Sequence, residues 1–81
     1  MFEDLKDQKK LIVGTKQVLK AVREGKVATL LIAKDAERHV TRTVEDIARE
    51  QQIQIVYVES MKKLGKACGI NVGAASAAII K

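Results

Sequence analysis

Two rhythms of apolar and polar residues run along this chain, and the places where one gives way to the other mark its elements. The longest unbroken apolar run, 27–33 (VATLLIA), has charge on both sides, the pattern of a strand covered on both faces. A second run, 53–58 (IQIVYV), predicts a second central strand, and 11–13 (LIV), leading into Gly14, predicts a short one. Segment 74–80 (AASAAII) predicts a last strand whose small side chains let a helix pack closely. Between these runs the spacing turns helical. Over 16–24, Val18, Leu19 and Val22 share one face, while Lys16, Lys20 and Arg23, at i, i+4 and i+7, share the other. A second helix, with Asp35 as its cap or turn, puts Val40, Val44, Ile47, Ala48 and Gln51 on one side. Arg38, Arg42, Glu45 and Arg49 fall on the other, with Glu45 and Arg49 in the favourable i, i+4 order. Ser60 is suited to cap a third helix with Met61, Leu64 and Cys68 inward and Lys62, Lys63 and Lys66 outward. Gly25 and Gly69 supply helix stops, and a short amphipathic helix is expected at 2–12. Alternating strands and helices predict an α/β fold. The expected architecture is a three-layer α/β/α sandwich with a central mixed four-stranded sheet, in a single domain over 1–81.

One local choice is odd. Thr15 is a good helix N-cap, which puts Lys16 in the first turn. A helix N-terminus carries partial positive charge, so an acid is the usual choice there. A phosphate at the helix tip would reconcile the two, because it accepts from the free N–H groups and attracts the ammonium. The plainer alternative is that Lys16 swings into water at a cost of about 0.3–1 kcal/mol.

Charge sharpens this picture. The 81 residues carry a formal net charge of +5, and the excess sits in two short segments. Segment 14–26 holds Lys16, Lys20, Arg23 and Lys26 against Glu24, and segment 60–69 holds Lys62, Lys63 and Lys66 with no acid. The stretch between them is close to neutral. Basic charge confined in this way favours a polyanionic partner, although lysines also simply confer solubility. Hydrophobic residues make up 47% of the chain, enough for a core, which one Phe and one Tyr leave largely aliphatic. No apolar run reaches the length of a membrane span, and the charged N-terminus lacks the apolar segment of a signal peptide. A single cysteine points to a reducing, cytoplasmic setting.

Catalytic chemistry finds little support. His39 lies in a charged helical stretch and Cys68 on an apolar helix face, neither with an evident second group. No His/Cys spacing suggests a metal site, the Gly-bounded loop 69–73 lacks the GxxxxGK[ST] pattern, and no cofactor is indicated. In that loop Ile70 and Val72 flank Asn71. They are expected to divide between packing under the sheet edge and facing an unstacked base.

The segments "GTKQVLKAV", "LIAKDA" and "LGKACGINVGAASAAII", in this order, resemble the kink-turn-binding ribosomal protein family of the L-seven-Ae and L-thirty-e type, above all its small bacterial members. The resemblance spans nearly the whole chain. It implies a protein that recognises a kink-turn, an RNA helix interrupted by a three-nucleotide bulge and resumed by tandem sheared G·A pairs. By that correspondence Gly14 and Thr15 lie at a close backbone approach, with Lys16, Gln17 and Lys20 toward the RNA. The loop Ile70-Asn71-Val72 packs against the flipped bulge nucleotide, and Asn71 stands where an acid is often found. Lys16-Gln17 replaces the Asn-Glu typical of archaeal and eukaryotic members. Gln17 still accepts through its amide oxygen, and Lys16 can donate to guanine O6 and N7. Arg23, Lys34, Lys62 and Lys63 complete the expected RNA-binding set. The implied partner is structured RNA, with the ribosome as a possible setting, bound by a monomer. The alternative is a ribosome-docking, protein-interaction module without kink-turn selectivity.

Overall fold

The computed structural model describes residues 11–81. Four strands and three helices follow one another as β1 (Leu11–Val13), α1 (Thr15–Arg23), β2 (Val27–Ala33), α2 (Arg38–Glu50), β3 (Gln54–Val58), α3 (Met61–Ala67) and β4 (Ser76–Ile80). The helix expected ahead of β1 falls outside the described residues, except for Leu11 and Ile12, which are strand.

The strands form one mixed sheet in the order β1-β4-β2-β3. β2 and β3 are parallel, with Leu30 opposite Ile55 and Ala33 opposite Val58. β4 runs antiparallel to both β1 and β2, pairing Ala77 with Val13 and with Leu31. Alternation along β2 divides the interior in two. Leu30 and Ile32 pack with Val18, Ala21 and Val22 of α1 and with Val44 and Ala48 of α2. Leu31 and Ala33 face the other way and pack with Leu64 of α3 and with Cys68. Helices therefore cover both faces, the three-layer sandwich expected from the alternation of elements.

One expectation about the sheet needs correction. β3 is an edge strand, not a central one: Tyr57 is exposed, and Ile55 and Val56 are half-buried. The central place goes to the alanine-rich β4, whose Ala77 and Ala78 are fully buried on opposite faces. A strand between two helical layers gains from small side chains, because they let both layers approach. The exposed face of β3 is tied down by polar bonds instead. The Tyr57 hydroxyl donates to Glu45 at 2.8 Å, and Arg49 donates to both at 3.2 Å. Burial raises the Glu45 carboxyl, but bonds from Tyr57 and Thr41 and the charges of Arg49 and Arg38 outweigh it and leave it below its ordinary value.

Within α2 the inward residues are Thr41, Val44 and Ala48. Val40, assigned to the inner face by spacing, lies on its rim with 36% of its surface exposed. Gln51 is exposed too, with its amide donating to the Val22 carbonyl at 2.7 Å. Asp35 does not cap α2, whose N-cap is Glu37. The turn after β2 lies beside the end of β3, where Lys34 N–H donates to the Val58 carbonyl at 2.8 Å. Asp35 there accepts from Met61 N–H at 2.7 Å and serves α3.

All three helices end alike. The second residue past each helix donates back to one carbonyl, and the third donates to the carbonyl before it, which places the second in the left-handed region. Gly25 and Gly69 hold that position after α1 and α3, and Gln52, at φ 58°, holds it after α2. A left-handed conformation costs a residue with a Cβ about 1–2 kcal/mol. Gln52→Gly is therefore expected to stabilise the protein by about 0.5–1 kcal/mol in urea unfolding, after the flexibility of glycine is offset. The rim position of Val40 gives a second expectation: Val44→Ala costs about 2 kcal/mol in the same measurement, while Val40→Ala stays within about 0.5 kcal/mol.

Candidate nucleic-acid interface

Strand direction decides which loops meet. β1, β2 and β3 all end at the same end of the sheet, and β4, running against them, begins there. The chain leaving β1 supplies Gly14 and the start of α1. The chain leaving β2 supplies Lys34 and Asp35, and the chain leaving β3 supplies Glu59, Ser60 and the start of α3. The approach to β4 supplies the loop 70–75. Three consecutive residues knit these together. Ala74 N–H donates to the Met61 carbonyl at 3.0 Å, the Ala75 carbonyl accepts from Ala33 N–H at 3.0 Å, and the Ser76 carbonyl accepts from Gly14 N–H at 3.1 Å.

The tip of α1 differs from the expected one. Gly14, not Thr15, is the N-cap, at φ 102° and ψ 134°, a conformation closed to residues with a Cβ. Thr15 is already helical, and its hydroxyl shares a hydrogen bond of 3.0 Å with that of the buried Ser76. Its propensity to cap thus yields to a tertiary partner. No side chain caps α1, and its first turn holds no acid. The first bond within the helix is Val18 N–H to the Gly14 carbonyl, so the amides of Thr15, Lys16 and Gln17 have the open character of an anion-accepting helix end. Lys16 and Gln17 are exposed beside them.

α3 is built the opposite way. Its first amides are taken, Met61 N–H by Asp35 and Lys63 N–H by the Ser60 hydroxyl at 3.1 Å. Charge near it comes from side chains alone. Lys62 is exposed and makes no ion pair among the described residues, whereas Lys63 binds Glu59 at 2.7 Å. The bond and charge of Lys63, assisted by the charge of Lys34, hold the Glu59 carboxyl below its ordinary value. Lys34 is exposed at the same end.

The loop after α3 is fixed by its backbone. A Cβ at Gly65 would collide with the Val72 carbonyl oxygen, and one at Gly73 would press on Met61. Ile70 N–H donates to the Gly65 carbonyl at 3.0 Å. Held in this way, Ile70 packs on the α3-side core, Asn71 stays exposed, and Val72 leaves 70% of its surface in solvent.

Most of the expected set is gathered at this end: Gly14, Thr15, Lys16 and Gln17, then Lys34, Lys62 and Lys63, then Ile70, Asn71 and Val72. Lys20 stands one turn along α1. Arg23 is not brought there, since eight residues of helix rise separate it from Thr15, about 12 Å. Three residues that organise the site escaped attention in the sequence: Gly65, Ser76 and the true role of Asp35. A glycine inside the helical "MKKLGKA" and a lone hydroxyl inside "AASAAII" were the available signals.

Elsewhere the chemistry is muted. His39 is exposed and pairs with Glu37 at 3.2 Å. Burial raises the Cys68 thiol above its ordinary value, the reverse of nucleophile activation. Among the described residues no three His, Cys, Asp or Glu side chains group to hold a metal ion, and no helix is long and apolar enough to cross a membrane. The close contact at Gly65 leads to a test of the loop. Gly65→Ala is expected to destabilise the protein by about 1–3 kcal/mol in urea unfolding, despite the better helix propensity of alanine. A gain in stability would contradict the packing described.

The sequence matches the ribosomal protein L7Ae/L30e/S12e/Gadd45 family over residues 2–81. It is 52% identical over 80 residues to an RNA-binding protein of Halalkalibacterium halodurans, covering 99% of this chain and 98% of that one. It is 55% identical over 69 residues to an RNA-binding protein of Caldanaerobacter subterraneus subsp. tengcongensis, covering 85% and 84%. Among solved structures, a Bacillus halodurans protein of unknown function superimposes with a TM-score of 0.86 at 25% identity, over 99% of this chain and 80% of that one. A 15.5kD RNA binding protein of Giardia lamblia shares the fold with a TM-score of 0.82 at 24% identity, over 99% and 68%. By the near-complete family match and the close relatives together, this chain belongs to the ribosomal protein L7Ae/L30e/S12e/Gadd45 family.

Proposed function

We propose that this chain is an RNA-binding protein that recognises the bent form of a kink-turn, acting as one RNA-binding domain on ribosomal or other structured RNA in the cytoplasm. The observation that carries this reading is the pairing, at one end of the sheet, of an uncapped helix tip fronted by Gly14 with a rigid loop presenting Val72 to solvent. A bent RNA offers two unlike surfaces to such a site. Its backbone and G·A edges meet the α1 tip, and a bulged base meets the apolar loop. In this reading the amides of the first turn and Lys16 take phosphate or guanine acceptors, Gln17 accepts from a base edge, and Lys20 extends the contact along the groove. Lys34 and Lys62 add charge without sequence information. Asn71 keeps the loop free of an acid that would repel phosphate. A protein that touches both helices and the bulge fits only the bent state and shifts the population toward it. The family and the names of its relatives support RNA as the partner. Arg23 stands outside the core of the contact.

The test is a paired titration at fixed salt against a kink-turn RNA and the same RNA with its G·A pairs changed to Watson–Crick pairs. Tighter binding of the first is expected, and equal affinities would remove the kink-turn claim. Lys62→Ala is expected to weaken both RNAs alike and to flatten the salt slope by up to about 1. Lys63→Ala should do less, because Glu59 already holds Lys63. Gln17→Ala should narrow the gap between the two RNAs, and an unchanged ratio would exclude Gln17 from base reading.

A further inference from the structure

Three of the four links that the segment 74–76 makes at the site end of the sheet are backbone bonds. Ala74 holds α3, Ala75 holds the end of β2, and the Ser76 carbonyl holds Gly14. Any sequence that follows this path makes them. The fourth link, the 3.0 Å bond between the Thr15 and Ser76 hydroxyls, depends on side chains. It lies immediately before Lys16 and Gln17. Ser76 is fully buried, and its neighbours along the chain, Ala74, Ala75, Ala77 and Ala78, are all alanine. Alanine would fill the place of Ser76, and valine has the shape of threonine. A part-buried neutral hydroxyl pair returns little net stability over an apolar pair of the same shape, because Ser76 is first stripped of water and Thr15 partly so. What it adds is direction.

We propose that Thr15 and Ser76 are positioning residues: their shared hydrogen bond fixes the rotation of the α1 tip against β4, and so aims Lys16 and Gln17 relative to the 70–73 loop. Thr15 then acts through its partner and not by touching RNA. The selectivity part of this inference rests on the kink-turn reading, while the geometric part does not. The first-turn amides are uncapped because Gly14 holds the N-cap without a side chain, so the Thr15–Ser76 bond orients a tip that is already open. A mismatch of about 1 Å at such a tip is enough to degrade base-edge recognition while phosphate attraction persists.

The experiment uses the wild-type chain, Thr15→Ser, and the double variant Thr15→Val with Ser76→Ala. The double variant replaces both partners and strands neither, so its urea midpoint is expected to match the wild type. Without RNA, its Val18 amide is expected to exchange hydrogen faster than in the wild type. Its preference for the kink-turn RNA over the Watson–Crick version is expected to fall about fivefold, the worth of one net hydrogen bond. Thr15→Ser keeps the hydroxyl and should keep both properties. Unchanged Val18 exchange in a stable double variant overturns the inference whatever the RNA result. So does an unchanged preference in a double variant of a discriminating wild type, and so does a large loss of global stability, which would make the pair a fold element. If the wild type itself does not discriminate, the kink-turn reading fails, and the exchange measurement still decides whether the pair orients the tip.

Discussion

The interaction on which the structure depends is the antiparallel insertion of β4 between β1 and β2. Because β4 alone runs against its neighbours, its first residues lie where the other three strands end. Three loops and two helix starts then have one common anchor, the segment 74–76. Had β4 run parallel, the loop 70–73 would lie at the far end, away from the α1 tip. Small side chains make the insertion possible, since Ala77 and Ala78 face a helical layer each without spare room. The same thrift continues in the loop, where Gly65 lets the Val72 carbonyl sit against α3.

Charge follows the same division of the molecule. On α2 most cations are matched: Arg42 faces Asp46, and Arg49 faces Glu45 and Asp46. At the site end, Lys16, Lys34 and Lys62 have no ion-pair partner among the described residues, and Lys63 alone is paired with Glu59. Surface pairs of this kind contribute little to stability, but they cancel field. The positive potential available to a polyanion is therefore concentrated where the backbone is also most open to one.

Much of this was legible in local sequence, and the reasons for the exceptions are physical. β2 matched its apolar run to the residue, because a strand covered on both faces has no polar interruption to blur it. The three-layer architecture followed from alternation alone. Strand order did not, since pairing partners are a long-range property: "IQIVYV" reads as central and sits at an edge, while "AASAAII" reads only as a last strand and sits inside. Side chains with two possible partners depart from local expectation in the same way, although Asp35 does stand in the turn expected before α2. Thr15 and Asp35 both carry the chemistry of a local cap, and both spend it on a distant residue, Ser76 or Met61. Charge, position and family resemblance single out Lys16, Gln17, Lys62 and Val72 as candidates. The groups that aim them, Ser76 and Gly65, carry no charge and give only a faint signal, a hydroxyl among alanines and a glycine in a helix.

In the proposed complex one end of the sheet, and not the matched face of α2, meets the RNA. Backbone amide resonances followed during addition of a kink-turn RNA test it most directly. The largest shifts are expected at Gly14–Gln17, Lys34, Lys62 and Ile70–Gly73, with Arg42, Asp46 and Arg49 nearly unmoved. Shifts centred on α2, with the Gly14 and Val72 signals unchanged, would contradict it.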